Sequence, residues 1–200
     1  MGLSPDAAER LRSGALAVLP TDTVYGIACA AGLADACAEL YALKERPAGQ
    51  PTAIMAGLVD ELLGLLPELS ARTAGLCRAV LPGPVTLVVE NPARRFPQLC
   101  GDAPDRIGVR VPLLEPGVAA LADAVGGLLI TSANLRGGPA PRRLEDVPAE
   151  LTSRAAVVVD GGELPGAASS VIDVTSEEPV VLRDGPCVDR VLESVIRLQS

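Results

Sequence analysis

The sequence predicts an α/β protein: a mixed parallel and antiparallel sheet with helices packed on it. Short apolar strands alternate with helical stretches along most of the chain, the pattern of helices covering a sheet. Beyond residue 150, several strand-like runs then follow one another directly, so the sheet cannot be strictly parallel. The core must be aliphatic, because 48% of the 200 residues are hydrophobic and only 2% are aromatic. A chain of this length is expected to form a single domain over residues 1–200.

The first segment, MGLSPDAAERLRSG, reads as a helix start rather than a signal peptide. Ser4 is the expected cap, followed by Pro5 and by Asp6 on the positive end of the dipole. Gly14 ends that helix. Residues 15–19 form a strand stopped by Pro20, and 33–43 form a helix ending at Lys44. Residues 47–51, PAGQP, are a loop, and 52–56 a buried strand. Helices are expected at 58–66 and 70–80. The turn LPGP at 81–84 leads into a strand at 86–90. Residues 91–105 are an irregular connection. A strand at 107–111, a helix near 115–125 and a strand at 128–131 follow, then a Gly/Pro-rich loop at 137–141. The last strands are 155–159, 170–174 and 179–183, and a helix covers about 187–198.

The composition excludes several classes of function. A net charge of −8 disfavours broad binding to phosphate backbones. Tyr25, Tyr41 and Phe96 are the only aromatics, too few to stack bases in series. The absence of histidine removes any histidine-based triad or metal site. The five cysteines are scattered with no CxxC pair, and read as reduced, buried thiols in a cytoplasmic protein. No apolar run is long enough to span a membrane. Neither GxxxxGK[ST] nor GxGxxG occurs; the nearest string, Gly161 to Gly166, is followed by Ala167 and Ala168. A nucleotide site must therefore be assembled from separate segments.

Four segments put polar groups at strand or helix ends, where α/β proteins build sites. PTDTVYG, Pro20 to Gly26, is either an ordinary turn or a site, and Asp22 in it either caps that turn or assists catalysis. KERPAGQP, Lys44 to Pro51, either suits the end of a helix or clamps phosphate, with Arg46 as a fork and Lys44 as a point charge. Arg110 interrupts the apolar strand IGVRV. If buried it needs a partner, which is either a structural salt bridge or a bound carboxylate. TSANLRGG, Thr131 to Gly138, offers Ser132 and Asn134 and then glycines that let a ligand approach the backbone. Near the end come Ser169, Ser170 and Arg183.

Taken in order, the strings PTDTVYG, KERP, LPGPVT, VRVP, TSAN, SSVID and LRDG resemble the YrdC family, best known for L-threonylcarbamoyl-adenylate synthases. They run from residue 20 to residue 185, most of the chain. The resemblance implies a strongly twisted mixed sheet with a large concave cavity. It also implies that ATP, L-threonine and bicarbonate are combined into threonylcarbamoyl-AMP and pyrophosphate, with Mg²⁺ accompanying the ATP. A separate transferase complex then modifies tRNA, which this chain meets only indirectly. By position, Thr23, Arg110 and Ser169 resemble threonine contacts. Lys44, Arg46, Gln50, Ser132, Asn134 and Arg183 resemble ATP contacts, with Lys44 and Arg46 expected to be catalytic. No metal ligand is expected. The chain resembles the short form of the family.

Some positions depart from the family pattern. Gln50 stands where many relatives have Asn or Lys, and Met55 where some have His. Arg136 replaces a common Ser, and Thr52 a common Leu. Met55 and Arg136 motivate a rival reading, a paralogue that adenylates another carbamoyl acceptor or hydrolyses a carbamoyl phosphate ester. A second rival is an RNA-binding or ribosome-associated module, which the charge and the scarcity of aromatics oppose.

Overall fold

A computed structural model describes residues 4–47 and 49–199. Met1–Leu3, in the expected N-terminal segment, and Ala48, in the expected 47–51 loop, lie outside the described residues. In chain order the elements are α1 (Ala7–Arg12), β1 (Leu16–Pro20), β2 (Tyr25–Ala30), α2 (Ala34–Leu43), β3 (Ala53–Met55), α3 (Val59–Leu65), α4 (Ala71–Val80), β4 (Val85–Glu90) and β5 (Arg106–Arg110). They continue as α5 (Pro116–Val125), β6 (Leu128–Ser132), α6 (Ala149–Thr152), β7 (Ala155–Val158), β8 (Ser170–Asp173), β9 (Val180–Arg183) and α7 (Val188–Gln199).

All nine strands among the described residues join one sheet, in the order β7-β1-β2-β6-β3-β5-β4-β8-β9. The pairs β1–β7, β3–β5 and β4–β8 are parallel and the other neighbours antiparallel, so the sheet is mixed as expected.

The expected elements are present, mostly with ends shifted by a residue. Helix α1 starts later than expected, with Asp6 rather than Ser4 at the cap position and no side-chain cap. The Ser4 carbonyl instead accepts the Ala7 N–H at 3.0 Å, which closes a turn ahead of the helix. Gly14 follows that helix with φ +98°, a conformation that glycine adopts without strain.

Strand β2 was not expected, because YGIACA is short of β-branched and aromatic residues. Tertiary context makes it a strand: it lies between β1 and β6 with every residue buried. Gly26 lets β6 pack closely there, since a Cβ would meet Ile130 Cδ1 at 2.5 Å and the Ile130 side chain would have to move.

Side chains alternate between the two faces of a strand, and here the faces are covered unequally. On one face, Ile27, Ile54, Leu87, Val89, Ile107, Val109 and Leu129 pack under α2, α3, α4 and α7. On the other, α1 and α5 pack over a smaller cluster that includes Ala17, Leu19, Ala28, Met55, Leu128 and Val157. The rest of that second face is the floor of a cavity.

Candidate active site

The cavity has a volume of about 520 Å³. Its floor is the uncovered row of alternate residues: Ala53 on β3; Arg106, Gly108 and Arg110 on β5; Thr86 and Val88 on β4; Val171 and Asp173 on β8. Gly108 keeps the floor low, because a Cβ there would come within 3.0 Å of the Thr52 carbonyl oxygen. Loops supply the walls, including Thr23, Arg46 and Ser169.

The C-terminal end of β5 carries a polar cluster. Arg110 donates from Nη2 to Asp22 Oδ1 at 2.6 Å and to Thr23 Oγ1 at 2.9 Å, and from Nη1 to Ser169 Oγ at 3.2 Å. Arg183, at the end of β9, donates from Nη2 to the same Ser169 hydroxyl at 2.9 Å and from Nε to the Ser169 carbonyl at 2.8 Å. Two guanidinium groups thus meet at one neutral hydroxyl. Burial, and then the positive charge of Arg110, lower the Arg183 pKa. Arg110 Nε is buried with no partner. An anion entering here would meet two preformed forks with only Asp22 as counter-charge in the cluster.

The second cluster lies toward the start of β5. The Arg46 guanidinium sits 5.9 Å from the Tyr41 ring centroid and bonds the Pro51 carbonyl. Burial lowers its pKa. Lys44, just past α2, donates to the Ser132 carbonyl at 2.8 Å, to Asn134 Oδ1 at 3.1 Å and to the Asn134 carbonyl. Its donors are therefore spent on holding the 132–134 turn. Burial, and then the nearby Arg46 charge, bring its pKa down to about 8. Ser132 donates to Asn134 Oδ1 at 2.6 Å, and Asn134 Nδ2 donates to the Gly138 carbonyl at 2.6 Å.

The structure thus brings Thr23, Arg46, Arg110, Ser132, Ser169 and Arg183 to one cavity. It does not place Lys44, Gln50 or Asn134 on the cavity wall; Lys44 and Asn134 brace the loop behind Ser132, and Gln50 is exposed. Arg110 is salt-bridged to Asp22, as the structural reading expected, and it also lines the cavity.

Sequence reasoning passed over Arg106 and Asp173, which form an ion pair of 2.7 Å within the cavity. The strand period could have found Arg106, since a residue four before Arg110 must share its face. All five cysteines are free and buried. Burial pushes Cys77 up to about 12 and also raises Cys100, which lines the cavity, so these are thiols rather than thiolate nucleophiles.

The chain is similar to known proteins over most of its length. The family model Sua5_yciO_yrdC, described as "Telomere recombination", matches residues 9–185. The chain belongs to this family. It is 36% identical over 180 residues to the threonylcarbamoyl-AMP synthase of Halorhodospira halophila, covering 90% of this chain and 88% of that protein. The crystal structure of Pyrococcus abyssi Sua5 complexed with L-threonine superposes with a TM-score of 0.82 at 31% identity. That match covers 95% of this chain but 56% of Sua5, so this chain spans about half of that relative. Escherichia coli YciO superposes with a TM-score of 0.77 at 27% identity, covering 90% of this chain and 87% of YciO.

Proposed function

We propose that this chain is a threonylcarbamoyl-AMP synthase, combining L-threonine, bicarbonate and ATP. One observation carries the reading: cationic and hydroxyl side chains from seven separate segments line a single cavity, including Arg46, Ser132, Arg110 and Arg183. The threonine carboxylate is assigned to Arg110, Thr23 and Ser169. The triphosphate is assigned to Arg46, Ser132 and Arg183. Lys44 contributes charge and holds the Ser132 turn; Asn134 braces it, and Gln50 is left as a contact at the rim.

In the reaction, the threonine amine forms a C–N bond to bicarbonate with loss of water, or to CO₂ with loss of a proton, giving N-carboxy-threonine. A carbamate oxygen then attacks the α-phosphorus of ATP, forming the mixed anhydride with AMP and releasing pyrophosphate. Such chemistry is served mainly by positioning and charge stabilisation, which fits a cavity of Arg, Ser and Thr without histidine. Mg²⁺ fits as a companion of the triphosphate, supplying charge neutralisation through phosphate and water oxygens. The carboxylates nearest the site are already engaged: Asp22, beside the cavity, by Arg110 and the Leu113 N–H, and Asp173, in its lining, by Arg106 and Thr175. Among the described residues no group of three or more metal-ligating side chains is present, and no helix is long and apolar enough to cross a membrane. We place the protein in the cytoplasm, passing its product to a separate transferase that modifies tRNA.

The test is direct. Incubation with ATP, L-threonine, bicarbonate and Mg²⁺ should yield threonylcarbamoyl-AMP by mass spectrometry, together with an equal amount of pyrophosphate. Pyrophosphate release that does not depend on threonine or bicarbonate rejects the assignment.

A further inference from the structure

Strand β4 reads VTLVVE, and its residues alternate between the packed core and the cavity. Val85, Leu87 and Val89 belong to the core, while Thr86 and Val88 face the cavity. Thr86 is therefore a hydroxyl set into an otherwise apolar stretch of floor. Only 9% of it is exposed, and that exposure is to the void. The other buried threonines all spend their hydroxyls within the protein: Thr21 on the Val24 carbonyl, Thr23 on Arg110, Thr73 on Glu90. The Thr86 hydroxyl has no such partner among the described residues and opens on the cavity. A hydroxyl that faces the cavity with no protein partner is free to donate to and accept from whatever enters it.

Its position says what that something is. The register that pairs Leu87 with Val109 sets Thr86 opposite Arg110, and on its other side Thr86 is paired with Val171. Directly opposite residues on neighbouring strands have their Cβ atoms about 5 Å apart. A carboxylate held by Arg110 and Ser169 would leave the β-carbon of an α-amino acid free to reach toward Thr86 on the same face of the sheet. A β-hydroxyl there completes the missing hydrogen bond, whereas a methyl in its place leaves Thr86 unpaired.

We propose that the Thr86 hydroxyl binds the side-chain hydroxyl of the amino-acid substrate and sets the preference for β-hydroxy amino acids over their apolar isosteres. This rests on the synthase reading for the placement of the carboxylate at Arg110. A site that hydrogen-bonds a substrate hydroxyl rejects the analogue lacking it, because its own polar group is stranded.

The experiment titrates L-threonine and L-valine, which are isosteric, into the wild type, Thr86→Val and Thr86→Ser by calorimetry. Wild type and Thr86→Ser should bind threonine more tightly than valine by about tenfold or more. Thr86→Val should bind the two with nearly equal affinity while keeping its grip on valine. Thr86→Ala gives the same readout should the valine variant prove insoluble. An unchanged threonine-to-valine ratio in Thr86→Val, or equal affinities in the wild type, overturns the proposal. Pyrophosphate release by the wild type is followed in parallel. A protein that binds threonine selectively but releases none sinks the synthase reading, while the affinity ratio still decides the role of Thr86.

Discussion

Asp22 and Arg110, 88 residues apart, form an ion pair of 2.6 Å beside the cavity, with only 7% and 12% of their side chains exposed. The second Asp22 oxygen accepts the Leu113 N–H at 3.1 Å, so the carboxylate also fixes the backbone just beyond β5. Removing one member of a buried pair strands the other. Asp22→Ala should therefore cost about 3 kcal/mol of stability, which is roughly 6–12 °C in a domain of this size. Asp22→Asn, which keeps an acceptor for Leu113, should lose less. Thermal denaturation checks both, and an unshifted Asp22→Ala transition would show that the pair contributes nothing.

Arg110→Lys keeps the charge but loses the fork that meets a carboxylate. The KM for threonine should rise about tenfold or more, with the KM for ATP nearly constant. Arg46→Ala and Arg183→Ala should instead lower catalytic efficiency by about ten- to a hundredfold, chiefly through ATP. Steady-state kinetics with each substrate varied separates the two patterns. Equal losses for both substrates in Arg110→Lys contradict its assignment.

Lys44 gives a pH dependence with a defined sign. A lysine whose pKa is brought down to about 8 is charged below that pH and loses its charge as pH rises through it. Affinity for ATP should therefore weaken above about pH 8. Lys44→Arg, which cannot deprotonate in this range, should lack that alkaline loss whatever its overall activity. The measurement is the KM for ATP from pH 7 to 9.5 in both proteins, and parallel profiles would remove Lys44 from the site's electrostatics.

Arg106 is half-exposed and its pair with Asp173 is of the kind that adds little to stability. Its place is nonetheless on the cavity floor with Arg110. Arg106→Ala should melt within about 1 kcal/mol of the wild type, yet bind pyrophosphate about tenfold more weakly. Product-inhibition kinetics provides the readout, and unchanged inhibition would confine Arg106 to a surface role.

Most of the sheet was legible in the sequence, because apolar runs such as TLVVE and IGVRV announce buried strands. Strand β2 was not, since Gly26, Ala28 and Ala30 have weak strand preferences and are extended only because β1 and β6 flank them. At the site, motif order pointed to Arg46, Ser132, Arg110 and Arg183, which do share a void. It gave no hint that the Lys44 donors turn inward to the 132–134 backbone, since a loop's path is set by contacts made across the fold. Nor did it single out Thr86, whose meaning depends on which face of β4 the helices leave open.

That uneven cover has a consequence for how the protein can change. Along β5, Ile107 and Val109 answer to the interior, and Arg106, Gly108 and Arg110 to whatever occupies the chamber. Neighbouring codons on one strand are therefore under unrelated demands, one set by durability and the next by chemistry. On β4, substrate choice can drift at Thr86 and Val88 while Val85, Leu87 and Val89 keep the scaffold intact.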